Sequence, residues 1–301
     1  MTDESDKSSK TVPSNWDRRC WFHAIVNSLV ATGIVILGYQ LNNDYGWGLF
    51  IAVPVLTGFV VAFTSRGIGI IPILFSTCLL SMLIFLVTAW EGILCVALAF
   101  PIVMISMGLG ALIGYFVARK VVHRYGNPLI VLFSITLLML VGWNDRKERE
   151  PQDLEVTTSM NFYAPMNEVW NVVKASGQID GNTRILEFVG LPVPRNCELL
   201  PNNQRVCHFD EGQILQTITE ENYGKNIDLK IVDSFEVRHW LHLDEAGYRF
   251  IQRSDHVEVI RTDRIKSELQ PRWYWHWFEE QCVKLQHRYV MSSMRRKVEI
   301  E

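Results

Sequence analysis

Six of the eight histidines, His208, His239, His242, His256, His276 and His287, fall after residue 200. Imidazole is the side chain that exchanges protons near neutral pH. His208 and His256 are therefore the candidate acid/base groups of a cyclase- or dehydratase-like site, although no pattern ties either to a partner carboxylate. His239 and His242, with Asp244 nearby, come nearest to a metal-ligand spacing. Residues three apart share a face on a helix, but this stretch reads as extended chain, where they point oppositely. No metal and no cofactor is expected. The cysteines are Cys20, Cys78, Cys95, Cys197, Cys207 and Cys282. No CxxC pair occurs, which argues against a zinc ribbon or a thioredoxin-type centre. GxSxG, HExxH, Walker A and N-x-[ST] sequences are also missing.

The elements that must carry these residues divide the chain in two. The 301 residues are 49% apolar and 20% charged, which excludes a disordered or collagen-like chain. Residues 1–150 carry 11 Lys/Arg against 9 Asp/Glu, and residues 151–301 carry 18 against 23. Neither half has the concentrated basic excess that a phosphate-tracking protein needs, so nucleic acid is not an expected partner. The stronger asymmetry is in hydrophobicity, since almost every long apolar run precedes residue 144.

Residues 1–19 form a polar tail too poor in apolar surface to fold. Residues 20–143 then contain five apolar segments, at 20–41, 46–64, 68–89, 92–118 and 128–143. A span needs about 20 apolar residues, so the sequence predicts an α-helical transmembrane bundle, with the short last segment its weakest member. Lys7, Lys10, Arg18 and Arg19 precede the first span, Arg66 lies between the second and third, and Arg119, Lys120 and Arg124 follow the fourth. The alternate turns carry no Lys or Arg, which places the N-terminus in the cytoplasm. Five spans put the C-terminal half outside; four spans, favoured by Arg146, Lys147 and Arg149, keep it inside. No Asp, Glu, Lys or Arg lies within a span interior, so the bundle reads as an anchor rather than an ion pathway. Pro54, Pro72 and Pro101 read as ordinary membrane-helix prolines. Gly110 and Gly114 form a small-xxx-small pair that lets two helices approach closely.

At 144–153 the composition switches to charges and a proline, which marks a linker, and 154–300 reads as an α+β domain. The pattern predicts a strand at 154–162, a helix at 164–176 and a proline-rich loop at 177–203. Strands follow at 204–210, 212–221, 226–234, 247–254 and 257–269, and a long helix at 271–298. Ile227, Leu229 and Ile231 alternate with Asp228 and Lys230, so that strand has one face on a core. The turns at 210–212 and 254–256 predict antiparallel hairpins. The last helix is the one element long enough to cover such a sheet. Its predicted apolar face is Tyr274, Trp277, Phe278, Cys282, Leu285 and Tyr289. The dense aromatics at 273–278 pack the helix on the sheet or sit at a bilayer interface.

Several local patterns in 154–300 resemble the START-like (SRPBCC, polyketide cyclase/dehydrase) superfamily. They are Ala164-Pro165 followed by Glu168-Val169-Trp170, then Pro192-Val193-Pro194, then Arg205-Val206-Cys207-His208-Phe209 with Gly212, and finally Leu269-Gln270-Pro271-Arg272-Trp273-Tyr274-Trp275. The resemblance implies a helix-grip fold, an antiparallel sheet wrapped on a long C-terminal helix, with an apolar cavity between them. Several spans before such a domain also look like a bacterial membrane subgroup, which implies the inner (plasma) membrane. An incompletely filled space between a bent sheet and a helix is where apolar ligands go. Phe209, Ile218, Leu229, Ile231, Phe250, Trp277 and Phe278 are the candidate lining residues, the alternative being that they simply pack a core. The expected function is binding of a hydrophobic small molecule or lipid near the bilayer. A cyclase-like enzyme in the same cavity and a non-catalytic interaction or sensor module are the alternatives. An external domain would allow Cys197 and Cys207 to pair, leaving one odd thiol; three buried free thiols are the simpler reading.

Overall fold

The computed structural model describes residues 46–65, 70–87, 93–121, 152–189, 191–210, 212–234 and 241–299, with residues 29, 32, 33 and 36. A π-helical turn at Gly48–Ala52 leads into α1 (Val53–Ser65), followed by α2 (Ile70–Val87) and α3 (Ile93–Val121). These match the second, third and fourth apolar segments. The first is described only at residues 29, 32, 33 and 36, and 128–143 lies outside the described residues. Among the described residues one helix, Val96–Arg119, is long and apolar enough to cross a membrane; Gly48–Phe63 and Ile70–Ile84 are shorter apolar helices.

Helix α1 packs directly on α3 because glycine removes the side chains that would hold them apart. A Cβ on Gly110 would stand 1.8 Å from the carbonyl oxygen of Val55, and one on Gly58 1.9 Å from that of Met107. The next turn repeats the contact, with Gly114 against Phe59. Thr57 and Ser81 are buried in the same bundle, and each hydroxyl donates to the carbonyl four residues earlier, at 2.8 Å.

The C-terminal elements are β1 (Gln152–Phe162), α4 (Met166–Ala175), β2 (Gly177–Gln178), α5 (Arg184–Val189), β3 (Pro194–Leu200), β4 (Gln204–Phe209), β5 (Gln213–Asn222), β6 (Asn226–Ser234), β7 (Leu241–Gln252), β8 (Val257–Ser267) and α6 (Arg272–Glu299). All strands join one antiparallel sheet in the order β1-β8-β7-β6-β5-β4-β3-β2. The sheet curls around α6, which is a helix-grip arrangement. Three elements in 177–203 replace the expected loop. Strand β3 escapes the sequence because prolines flank it, yet Asn202 and Asn203 both take positive φ, at 65° and 58°, and turn β3 tightly into β4. Strand β7 also begins six residues before the expected 247.

Helix α4 buries Val169, Trp170 and Val173 and ends where Ser176 and Gly177 adopt positive φ. Trp170 meets Phe250 at 4.9 Å between ring centroids, within the core that also holds Phe162, Tyr248 and Met291. The buried face of α6 is Trp275, Phe278, Cys282, Val283, His287, Val290, Met291, Met294 and Val298, with the polar Glu279 and Ser293 buried beside them, and it is rotated from the expected stripe. Trp277 is 65% exposed. The large aromatics misled the phase because Tyr274, Trp275 and Phe278 serve a second partner, the start of α3. Trp275 also meets Phe50 of the π-helical turn, with ring centroids 4.9 Å apart and tilted by 51°, and the Tyr274 hydroxyl donates to the Leu98 carbonyl. Part of the aromatic cluster thus joins the domain to the apolar helices rather than packing α6 on the sheet.

Candidate functional site

Strand β8 positions the chemistry. Its alternation buries Val257, Val259, Arg261, Asp263, Ile265 and Ser267, so two charges share the apolar face. Across the sheet, β4 turns Arg205, Cys207 and Phe209 inward, β5 adds Ile214 and Gln216, and β7 adds Leu243 and Tyr248. Helix α6 closes the space with Val283, Gln286 and Val290, and Ser176, Ile179 and Pro194 complete the rim. The hollow measures about 70 Å³, room for on the order of five water-sized groups.

Arg261 meets Asp263 with both forks, Nε to Oδ1 at 3.0 Å and Nη2 to Oδ2 at 2.8 Å. His287 Nε2 lies 3.0 Å from the same Oδ2, and its Nδ1 is 3.1 Å from the Thr158 hydroxyl. Burial alone would raise the Asp263 carboxyl, but Arg261 and His287 hold it far below the usual carboxylate range. Burial would lower the Arg261 guanidinium, and Asp263 reverses that, leaving it raised. Burial lowers His287, with Asp263 opposing and Arg261 reinforcing the effect, so this imidazole is held neutral. Both its ring nitrogens face Asp263 and Thr158 rather than open space, so it is a poor general base.

Arg205 is different. It is 3% exposed, and its Nε donates to the Gln216 side-chain oxygen at 2.8 Å and its Nη1 to the Val173 carbonyl at 3.2 Å. No carboxylate contacts it among these bonds. Burial lowers its pKa most, Tyr248 raises it in part, Arg261 lowers it further, and Asp263, which does not touch it, raises it a little. The Tyr248 ring packs against both cations, 5.9 Å from Arg205 Cζ and 5.6 Å from Arg261 Cζ. The wall of the hollow thus carries two guanidiniums and one carboxylate.

Cys197 and Cys207, direct partners across β3 and β4 with Cα atoms 4.0 Å apart, form a disulfide in this wall. That corrects the reading of three free thiols, which failed because β3 was not foreseen. Cys282 is a buried thiol.

Of the residues singled out from sequence, Phe209 lines the hollow. Ile218, Leu229 and Phe250 sit in the neighbouring core, and Ile231, half-buried, pairs with Gln216 across β5 and β6. Phe278 joins Phe50 and Ile102 instead, and Trp277 faces outward. His208 lies between inward-facing Cys207 and Phe209, so the pleat turns it away. His256 is on the β7–β8 hairpin, 2.7 Å from Asp255 and against Tyr163. His239 lies outside the described residues; His242 is 3.7 Å from Glu268, and Asp244 is 2.9 Å from Lys266. Among the described residues no group of three or more His, Cys, Asp or Glu could hold a metal. Arg205, Gln216, Tyr248, Arg261 and Asp263 were missed. The available signal was phase: Arg261 and Asp263 keep step with Val257, Val259 and Ile265 in a period-two strand.

No family model and no curated protein matches this sequence. Solved structures similar to it include truncated norcoclaurine synthase from Thalictrum flavum, at 7% identity over 51% of this chain and 98% of that one, with a TM-score of 0.37. Others are Ara h 8.0201, at 10% identity over 50% and 100% with a TM-score of 0.34, and the Aha1 dimer from Colwellia psychrerythraea, at 9% over 49% and 97% with a TM-score of 0.29. The helix-grip assignment rests on the sheet order and the position of α6.

Proposed function

We propose that this chain is a membrane-anchored helix-grip protein of START-like type whose C-terminal domain binds a hydrophobic small molecule or lipid beside the bilayer. The hollow beneath α6 carries this reading, because Ile179, Pro194, Phe209, Ile214, Ile265 and Val290 surround space that the protein's own side chains leave open. At about 70 Å³ it suits a compact occupant, or the head of a longer one.

Membrane anchoring is supported by the distribution of polarity in α1–α3. Ile71, Phe75, Leu79, Leu83 and Val87 form an exposed ridge along α2, and Ile105, Leu109, Leu112, Ile113 and Phe116 are exposed on α3. Inside, the glycines Gly58, Gly110 and Gly114 and the buried hydroxyls of Thr57, Thr77 and Ser81 lie among Val61, Ile73, Leu74 and Met107. So large an apolar exterior is costly in water and natural in lipid, where small residues mediate helix contact. The domain meets the start of α3, at Leu98 and Ile102. With 29 residues, α3 spans about 43 Å, so Arg119 stands at the far end. Positive residues mark the cytoplasmic side, so this arrangement favours an external domain and five spans, with 128–143 bringing the chain back. The Cys197–Cys207 disulfide fits the same oxidising side.

The test is mass spectrometry of small molecules extracted from the purified full chain, compared with Val283→Trp, which fills the hollow from α6. An apolar molecule enriched in wild type and missing from the variant is the expected result. Identical extracts would overturn the ligand reading. A C-terminal reporter active only outside the cytoplasm tests the five-span orientation, and cytoplasmic activity would refute it.

A further inference from the structure

Charge in the hollow does not balance. Arg261 is matched by Asp263 through two short hydrogen bonds, and His287 is held neutral beside them. Arg205 is equally buried and its strongest partner is the neutral amide of Gln216. It also touches the last turn of α4, through Val173 and, at 3.5 Å, the Ser176 hydroxyl. That contact alone does not account for a buried cation. A helix C-terminus carries at most about half a negative charge. Lys297 already serves this one, donating from Nζ to the Ser176 carbonyl at 2.5 Å. Tyr248 adds a side-chain hydrogen bond to Arg205, yet each guanidinium presents five donors in a fixed fork, more than these partners use.

We infer that the ligand of this hollow is an anionic amphiphile whose head oxyanion, a carboxylate or a phosphate monoester, is received by Arg205 with help from Arg261. This deepens the ligand reading above and rests on it. Three features of the site agree. A planar fork recognises a two-oxygen acid through paired, charge-assisted bonds. The Tyr248 ring packs on both cations, which are 3% and 9% exposed, so an incoming anion gains more there than at the surface. The remaining wall, including Phe209, Ile214, Val283 and Val290, is apolar and accepts the first part of a chain. Asp263 sets the polarity: it hydrogen-bonds Arg261 and reaches Arg205 only through space, so one carboxylate faces two guanidiniums.

Binding is read by energy transfer from protein tryptophan to cis-parinaric acid and to its methyl ester, with full chain in neutral-detergent micelles at mildly alkaline pH. Protein-free micelles provide the reference. The acid should bind at least tenfold tighter than the ester, about 1.4 kcal/mol. Lauric acid and dodecyl phosphate should displace it at concentrations at least tenfold below dodecanol, and the better of the two identifies the head group. In Arg205→Gln the acid-to-ester ratio should fall below threefold, and Arg205→Lys should retain part of it. An ester bound as tightly as the acid by wild type overturns the anionic head while keeping an apolar ligand, and this comparison needs no variant. A ratio preserved in Arg205→Gln overturns the role of that residue. Displacement by inorganic phosphate as strong as by dodecyl phosphate overturns the amphiphile. Failure of acid and ester alike removes the underlying ligand reading as well.

Discussion

Replacing Asp263 by asparagine keeps the shape of the side chain and deletes the one negative charge in the hollow. Asp263 is 3% exposed, receives two hydrogen bonds from Arg261 at 3.0 and 2.8 Å, and has His287 at 3.0 Å. The variant leaves Arg205 and Arg261 buried, 3% and 9% exposed, with no opposing carboxylate among these contacts. Removing one partner of a buried pair costs about 3–5 kcal/mol, because the orphaned charge keeps its desolvation penalty. For a domain of this size each kcal/mol lowers Tm by about 2–4 °C, so a loss on the order of 10 °C is expected. The assay is thermal unfolding of the full chain in detergent, followed by near-ultraviolet circular dichroism. The double variant Arg261→Met with Asp263→Leu removes both charges of the pair and should recover most of the loss. A drop below about 3 °C for Asp263→Asn, near 1 kcal/mol on the same scale, would refute the reasoning, since it would mean that water reaches the pair.

Acid should weaken the domain in two stages. His287 has a lowered pKa, so the folded state resists its protonation and stability falls as pH drops below about 6.5, the unfolded histidine value. Asp263 has a depressed pKa, so its contribution is present above about 3.9 and is lost as pH falls below that value. In denaturation midpoints measured against pH, His287→Gln should remove the upper stage and leave the lower. Reduction of Cys197–Cys207, or Cys207→Ser, should cost about 3 kcal/mol from loop entropy over a separation of 10 residues, read as a lower midpoint under reductant. Gly110→Leu should cost about 3 kcal/mol, since its Cβ meets backbone of α1. Gly108→Leu, with nothing within 4 Å, should change the melt by less than about 0.5 kcal/mol.

Much of the architecture can be read from the residues, and the failures have physical causes. Period-two patterning found β6, the 257–269 strand matches β8 without its phase having been used, and Ala164-Pro165 marked the start of α4. The three described apolar helices fall where charge vanishes from the sequence. Strand β3 was hidden because Pro192, Pro194 and Pro201 suggested loop, while the Asn202-Asn203 turn that pairs it with β4 went unread. The phase of α6 was set by weighting aromatic size, which put Trp277 inside. Aromatics on that helix divide between two partners, and which partner each faces depends on where α3 lies. The site was the least legible part. Searching for lining residues by hydrophobicity retrieves Phe209 and passes over Arg205, Arg261 and Asp263. These charges are meaningful only once the strand phase shows them on the buried face. Their neutral neighbour Gln216 lies 11 positions from Arg205 and meets it only across a hairpin.

The central claim, that the space beneath α6 takes an amphiphile, is tested most directly by photocrosslinking. A fatty acid bearing a diazirine on its chain is added to the full protein, irradiated, and the labelled peptides are sequenced by mass spectrometry. Label in 204–209 and 283–290, lost on adding excess lauric acid, is the predicted result. Label confined to the outer ridges of α2 and α3, with none in β4 or α6, would contradict the account.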